Sequence, residues 1–106
     1  MPGGRYAVYR NLAPRSRTDV PFLLDVQADL FGSLASRVVV PLIRAELVPT
    51  PLRGLQPGFT VDGVPVVMDT PALVGAPARA LGMRVADLAS EATTILAALD
   101  LLFTGA

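Results

Sequence analysis

Apolar residues along this chain gather in short runs separated by proline- and glycine-rich stretches, and repeat at helical spacing only near the C-terminus. The first run, Arg5-Tyr6-Ala7-Val8-Tyr9, is rich in aromatic and β-branched residues and predicts a strand. Asn11 to Val20 contains Pro14, Arg15, Ser16, Arg17 and Asp19, lacks apolar periodicity, and predicts a solvated loop. Pro21-Phe22-Leu23-Leu24-Asp25-Val26 predicts a second strand, paired with the first as a hairpin with a long, mobile connection. After the irregular stretch Gln27 to Ser36, Arg37-Val38-Val39-Val40-Pro41-Leu42-Ile43 is the strongest strand signal, its unbroken apolar run implying burial on both faces. Pro41 lacks an N–H for a ladder and is expected at a bulge or bend, with Arg44 to Val48 continuing the sheet at a new angle.

Pro49, Pro51, Gly54, Pro57 and Gly58 mark a central loop. Phe59-Thr60-Val61 and Val64-Pro65-Val66-Val67-Met68 flank Asp62-Gly63, which suits the positive φ angles of a tight hairpin turn. Asp69 to Gly82, with Pro71, Gly75 and Pro77, reads as loop-rich. At the C-terminus Ile95, Leu99 and Leu102 fall at i, i+4 and i+7, with Leu96 and Phe103 beside them, and predict a helix over Ser90 to Phe103. Ser90 is the expected N-cap, Glu91 complements the helix N-terminal end, and Gly105 suits a left-handed C-terminal residue. The opposite face carries Thr93, Thr94, Ala97, Ala98 and Leu101, with Asp100 the one charge near it. A free-standing amphipathic helix is charged there, so either a loop or a second subunit is expected to cover it. No internal repeat or linker divides the chain, and residues 1–106 read as a single domain.

Composition narrows the chemistry. Hydrophobic residues make up 52% and charged residues 17%, which argues against disorder and for a partner covering apolar surface. Net charge is zero, with 9 basic residues, all arginine, against 9 acidic ones. The absence of lysine reads as codon bias of a GC-rich genome, and the balanced charge supplies no field for a polyanion. With no cysteine and no histidine, disulfides, Cys/His metal sites and histidine-based triads are excluded. No cofactor is implied. Neither a signal peptide nor a run of membrane-spanning length is apparent, so the expected location is the cytoplasm. Asp25 and Asp29 could suggest paired carboxylates, but without a histidine or glycine-rich loop nearby a structural or solvated role is preferred.

Several segments, in order, resemble the CcdB family. They are Tyr6-Ala7-Val8-Tyr9, Leu24-Asp25-Val26-Gln27-Ala28-Asp29, Arg37-Val38-Val39-Val40-Pro41-Leu42, Gly82 followed by Val85-Ala86-Asp87-Leu88, and Leu101-Leu102-Phe103-Thr104-Gly105-Ala106. The resemblance runs from about Tyr6 to Ala106. It implies a mainly β fold with a C-terminal α-helix: an SH3-like barrel of the CcdB/MazF type, with a five-stranded antiparallel sheet and a small accessory sheet. It also implies a homodimeric, non-enzymatic toxin of a toxin–antitoxin system. Such a toxin binds the GyrA subunit of DNA gyrase and traps the cleaved-DNA complex. A CcdA-like antitoxin neutralises it, and the pair represses its own operon. DNA is met only through antitoxin or gyrase, and no membrane is involved.

By the same resemblance, gyrase contacts map to Leu30 and Phe31 and to Asp100, Phe103, Thr104, Gly105 and Ala106. Antitoxin contacts map to Tyr9, Arg10, Arg15 and Arg17 and to Leu47, Val48 and Pro49. The dimer interface is expected at Met68, Ala98, Leu101, Leu102 and Ala106. Read on their own, Leu30 and Phe31 fit either an exposed binding loop or a packed cover over the barrel end. Arg15 and Arg17 fit either a grip on an acidic tail or plain solvation, and Met68 and Met83 fit core or interface filling.

One departure stands out. The family's best-studied toxins end in Phe-Trp-Gly-Ile, and the tryptophan stacks on an arginine of gyrase, a cation–π contact worth ~1–2 kcal/mol. Here Thr104 occupies that place and Ala106 replaces the isoleucine. The first loop is also longer than in the family. A CcdB-fold protein that binds antitoxin without poisoning gyrase is therefore the alternative, and a MazF-like ribonuclease is a third reading that the missing histidine, lysine and basic stripe disfavour.

Overall fold

The structure, a computed structural model, describes residues 4–31 and 34–105. Seven strands form one antiparallel sheet: β1 (Ala7–Asn11), β2 (Phe22–Asp25), β3 (Ser36–Arg44), β4 (Gly58–Val61), β5 (Val64–Met68), β6 (Val74–Pro77) and β7 (Leu81–Asp87). A single helix, α1 (Ala92–Thr104), follows. The sheet runs β4-β5-β3-β2-β1-β7, with β6 also paired to β3, and curls into a half-barrel, the mainly β architecture with a C-terminal helix expected from the resemblance.

Strand β3 organises this topology. Its β2-facing edge pairs Val39 with Asp25 through to Leu42 with Phe22. Its other edge pairs first with β6, from Ser36 to Val39, and then with β5, from Leu42 to Arg44. Pro41 falls where one partner has ended and the next begins, so a residue without an N–H costs no ladder bond there. Its carbonyl accepts from Asp69 N at 2.9 Å, where the chain leaves β5.

The Asp62-Gly63 hairpin forms as expected, with φ of 51° and 77° at its two residues. Three expectations about the sheet and its connections are corrected. Arg44 ends β3, and Ala45–Leu47 is a 3-10 turn rather than more sheet. Within Asp69 to Gly82, Val74–Pro77 is a strand and Leu81 begins another. The connection between β1 and β2 is fastened rather than mobile. Asn11 Nδ2 donates to Ser16 Oγ (3.0 Å) and to Val20 O (2.9 Å), and Arg44 Nε donates to Thr18 O (2.7 Å).

The helix starts later than Ser90 because a 3-10 turn, Ala89–Glu91, precedes it, and Asp87 Oδ1 accepts from Ala89 N at 2.7 Å in the capping role expected of Ser90. Gly105, at φ 76°, closes the helix with its N–H donating to Leu101 O at 3.0 Å. Ile95, Ala98 and Leu99 face inward and share one core with Val8, Phe22, Leu24, Val40, Leu42, Val66 and Met68. Each large side chain in this core contributes roughly 1.5–3 kcal/mol on burial, which fixes the helix across the sheet and turns Leu96 and Phe103 outward.

Candidate partner-binding surfaces

The outward stripe of α1 borders an apolar groove. It is lined by Leu96, Leu99, Asp100 and Phe103 from the helix, Val26 and Gln27 after β2, Val38 of β3, and Leu73, with Arg5 at its margin. Arg5 and Asp100 give this apolar trough one charge of each sign. Phe103 is 69% exposed, an unusual setting for a phenylalanine unless a partner covers it.

The segment after β2 is held by a buried network. Asp25 Oδ2 accepts from Arg37 Nε at 2.8 Å and Asp25 Oδ1 from Arg37 Nη2 at 3.1 Å, a bidentate pair wholly inside the protein. Asp25 Oδ1 also accepts from Gln27 N (2.9 Å), and Gln27 Oε1 accepts from Val38 N (3.0 Å). Arg5 Nε donates to Val26 O (3.1 Å), and Arg5 N to Asp29 Oδ1 (2.5 Å). The 3-10 turn Asp29–Phe31 follows, and on it Leu30 is 84% exposed.

Of the residues assigned to gyrase contact, Asp100 and Phe103 line the groove, and Thr104 and Gly105 lie exposed at the helix end. Thr104 Oγ1 donates to Asp100 O at 2.7 Å. Leu30 stands on the turn that follows the groove's Gln27. The Phe31 side chain and Ala106 lie outside the described residues.

None of the residues assigned to antitoxin contact lines the groove. Arg15, Arg17, Leu47 and Pro49 are exposed and Val48 is half-buried. Arg44 joins the two stretches: its side chain holds Thr18 O and its N–H donates to Asp19 O (2.9 Å) immediately before Ala45–Leu47. Arg10 is exposed and pairs with Asp62 at 3.4 Å, whereas Tyr9 is buried within the protomer on the strand face opposite Val8, which leaves almost none of it exposed for the expected contact.

The dimer set divides. Met68 and Ala98 have no exposed surface within the protomer, because both fill the core between helix and sheet, so neither side chain is available to a second subunit. Leu101 and Leu102 are half-buried. The Leu101 side chain approaches Gly54 of the central loop closely enough that a Cβ there would sit 3.5 Å from Leu101 Cδ2. A loop thus covers part of the helix's back face, while Thr93, Thr94 and Ala97 stay exposed.

Arg5, Gln27, Leu73 and the Asp25–Arg37 pair were not visible as site features in the sequence. For Arg37 a signal existed. Strand alternation puts it on the face of Val39, which pairs with Asp25, so the arginine and aspartate are diagonal neighbours on one face.

The fold defines a small, mainly β half-barrel protein with a single C-terminal helix. The model of the family described as CcdB protein matches residues 5–105, and the chain belongs to the CcdB family. That family consists of toxins of toxin–antitoxin systems, which are not themselves enzymes. None of the curated proteins matches the chain. Among the described residues, no helix is long and apolar enough to cross a membrane.

Proposed function

We propose that this toxin acts on DNA gyrase: it binds the GyrA subunit, traps the cleaved-DNA complex, and is released by a CcdA-like antitoxin. The observation that carries the reading is the groove. Asp100 and Phe103 at the helix end line one apolar trough together with Val26 and Gln27, a few residues before Leu30, and this supports a single target surface built from both stretches. The antitoxin surface, joined through Arg44, is built from other residues, as a partner that strips the toxin from its target requires. The working form is a cytoplasmic homodimer, joined through the exposed small residues and half-buried leucines of α1, and with its antitoxin it represses its own operon.

A supercoiling and DNA-cleavage assay with gyrase from the same host tests this, with Gly105→Arg as control. Gly105 is exposed at the helix end, where an added Cβ meets no atom within 4 Å but the residue has to adopt a left-handed φ. Stabilised cleavage that is lost in the control supports the proposal. A folded protein that leaves gyrase unaffected overturns it.

One observation favours a second reading, a CcdB-fold protein that binds antitoxin without poisoning gyrase. Thr104, at the tryptophan's place, turns its hydroxyl back onto Asp100 O and has no ring to offer a cation. Antitoxin binding retained without gyrase inhibition distinguishes it.

A further inference from the structure

Leu30 is the most exposed large apolar residue described, yet the chain leading to it is held by several hydrogen bonds. From Asp25 to Asp29 nearly every residue is tied elsewhere. Asp25 O accepts from Tyr6 N (2.7 Å), Val26 N donates to Val38 O (3.0 Å), and Gln27 joins Asp25 through its N–H and Val38 through its side chain. Asp29 accepts from Arg5 N and packs close to the preceding glycine: a Cβ on Gly4 would lie 2.5 Å from Asp29 Oδ1, so a larger residue there would push the carboxylate aside. A wholly buried ion pair adds little net stability over apolar residues of similar volume. What Asp25 and Arg37 do provide is direction, because a bidentate pair fixes the oxygen that receives Gln27 N.

We infer that Gln27, backed by the Asp25–Arg37 pair, is a positioning residue that sets the 3-10 turn Asp29–Phe31 so that Leu30 is presented rigidly to the macromolecular target. This rests on the gyrase reading above. Gln27 acts through the backbone: its amide oxygen takes Val38 N, locking the segment to β3, and its main chain takes the direction imposed by Asp25. Ordering a contact residue before binding removes an ordering cost from association.

The test is a double-mutant cycle on affinity for the GyrA fragment, using Gln27→Met, Leu30→Ala and the double variant, with antitoxin affinity measured in parallel. Gln27→Met keeps the side-chain length and removes the acceptor for Val38 N. Each single change is expected to weaken GyrA binding by about tenfold. The double variant should be no weaker than the worse single one, because residues acting through one contact are not additive. Antitoxin affinity should stay unchanged, which a merely structural role for Gln27 would not allow. Additive losses, or equal losses toward both partners, overturn the inference. If wild-type protein binds GyrA and Gln27→Met binds as well, this inference alone fails. If wild-type protein does not bind GyrA, the gyrase reading fails and the role proposed for Gln27 fails with it.

Discussion

Asp25 and Arg37 form a bidentate ion pair in the interior, with Nε–Oδ2 at 2.8 Å and Nη2–Oδ1 at 3.1 Å, and neither side chain reaches solvent. They sit on neighbouring strands, β2 and β3, diagonal to each other on the same face of the sheet. Cutting either partner leaves an uncompensated charge where water cannot reach it.

Arg37→Met is therefore expected to destabilise the protein by about 3–5 kcal/mol, a large share of the ~5–15 kcal/mol that holds a domain of this kind together. Asp25→Leu combined with Arg37→Met should recover much of that loss, because two apolar side chains satisfy each other where a lone charge cannot. Denaturant midpoints of the two variants check this. A double variant no more stable than the single one would show that the pair's hydrogen bonds to the segment after β2 outweigh the charge itself.

Asn11 ties the first loop to itself. Its side chain donates to Ser16 Oγ and Val20 O, and its Oδ1 accepts from Ala13 N at 3.0 Å. Asn11→Ala should cost about 1–2 kcal/mol, since three hydrogen bonds to half-buried and exposed partners are lost. It should also free the loop locally, making the bonds after Arg15 and Arg17 faster targets for trypsin than in the wild type. Unchanged cleavage would mean that Arg44, through Thr18 and Asp19, holds the loop unaided.

The strands that were legible in the sequence are those whose burial leaves a simple signature. Val38 to Ile43 is an unbroken apolar run because both faces of β3 are covered, Val39, Val40 and Leu42 being buried and Val38, Pro41 and Ile43 half-buried, and Asp62-Gly63 is a turn whose backbone angles demand such residues. Strand β7 was not legible, because Leu81-Gly82-Met83-Arg84 mixes glycine and arginine into the run. As the edge strand of the main path it is only half-covered and takes its order from β1 rather than from its own pattern. The site divides in the same way. Residues on α1 were visible as one apolar stripe, Ile95, Leu99 and Leu102 with Leu96 and Phe103 beside them, but spacing alone did not show that Leu96 and Phe103 stay exposed. Arg5, Val38 and Leu73 joined the groove only through tertiary packing, which spacing along the chain does not encode. Ala98 and Met68 were misplaced for the same reason: a small residue and a methionine suit a subunit contact and a core equally well.

Gly82 shows what the close approach of β7 to β1 requires. A Cβ there would lie 2.8 Å from Leu12 Cδ2 and 3.0 Å from Arg10 O. The leucine can rotate away but the carbonyl cannot, so Gly82→Ala should force the strands apart and cost about 1–3 kcal/mol. Adding Leu12→Ala should recover only the side-chain part of that loss. Full recovery in thermal melts would show that the backbone contact is relaxed at no cost.

The groove separates binding from folding at Phe103. Because the ring is mostly in solvent, Phe103→Arg removes little buried area, and its effect on unfolding should stay within about 0.5 kcal/mol, as for other surface changes. Toward GyrA the same change should be severe, with at least about a tenfold loss, since an apolar anchor becomes a charge that the partner has to desolvate. Leu96→Arg, about two turns further back on the same stripe, should weaken GyrA binding in the same direction. Affinity for the antitoxin should hold in both variants, because Arg15, Arg17, Leu47 and Pro49 are unaltered. Calorimetric titration against each partner, beside a melt of each variant, reads all three quantities. A Phe103→Arg protein that melts normally and still binds GyrA would remove the groove from the target interface and shift attention to Leu30 and its turn.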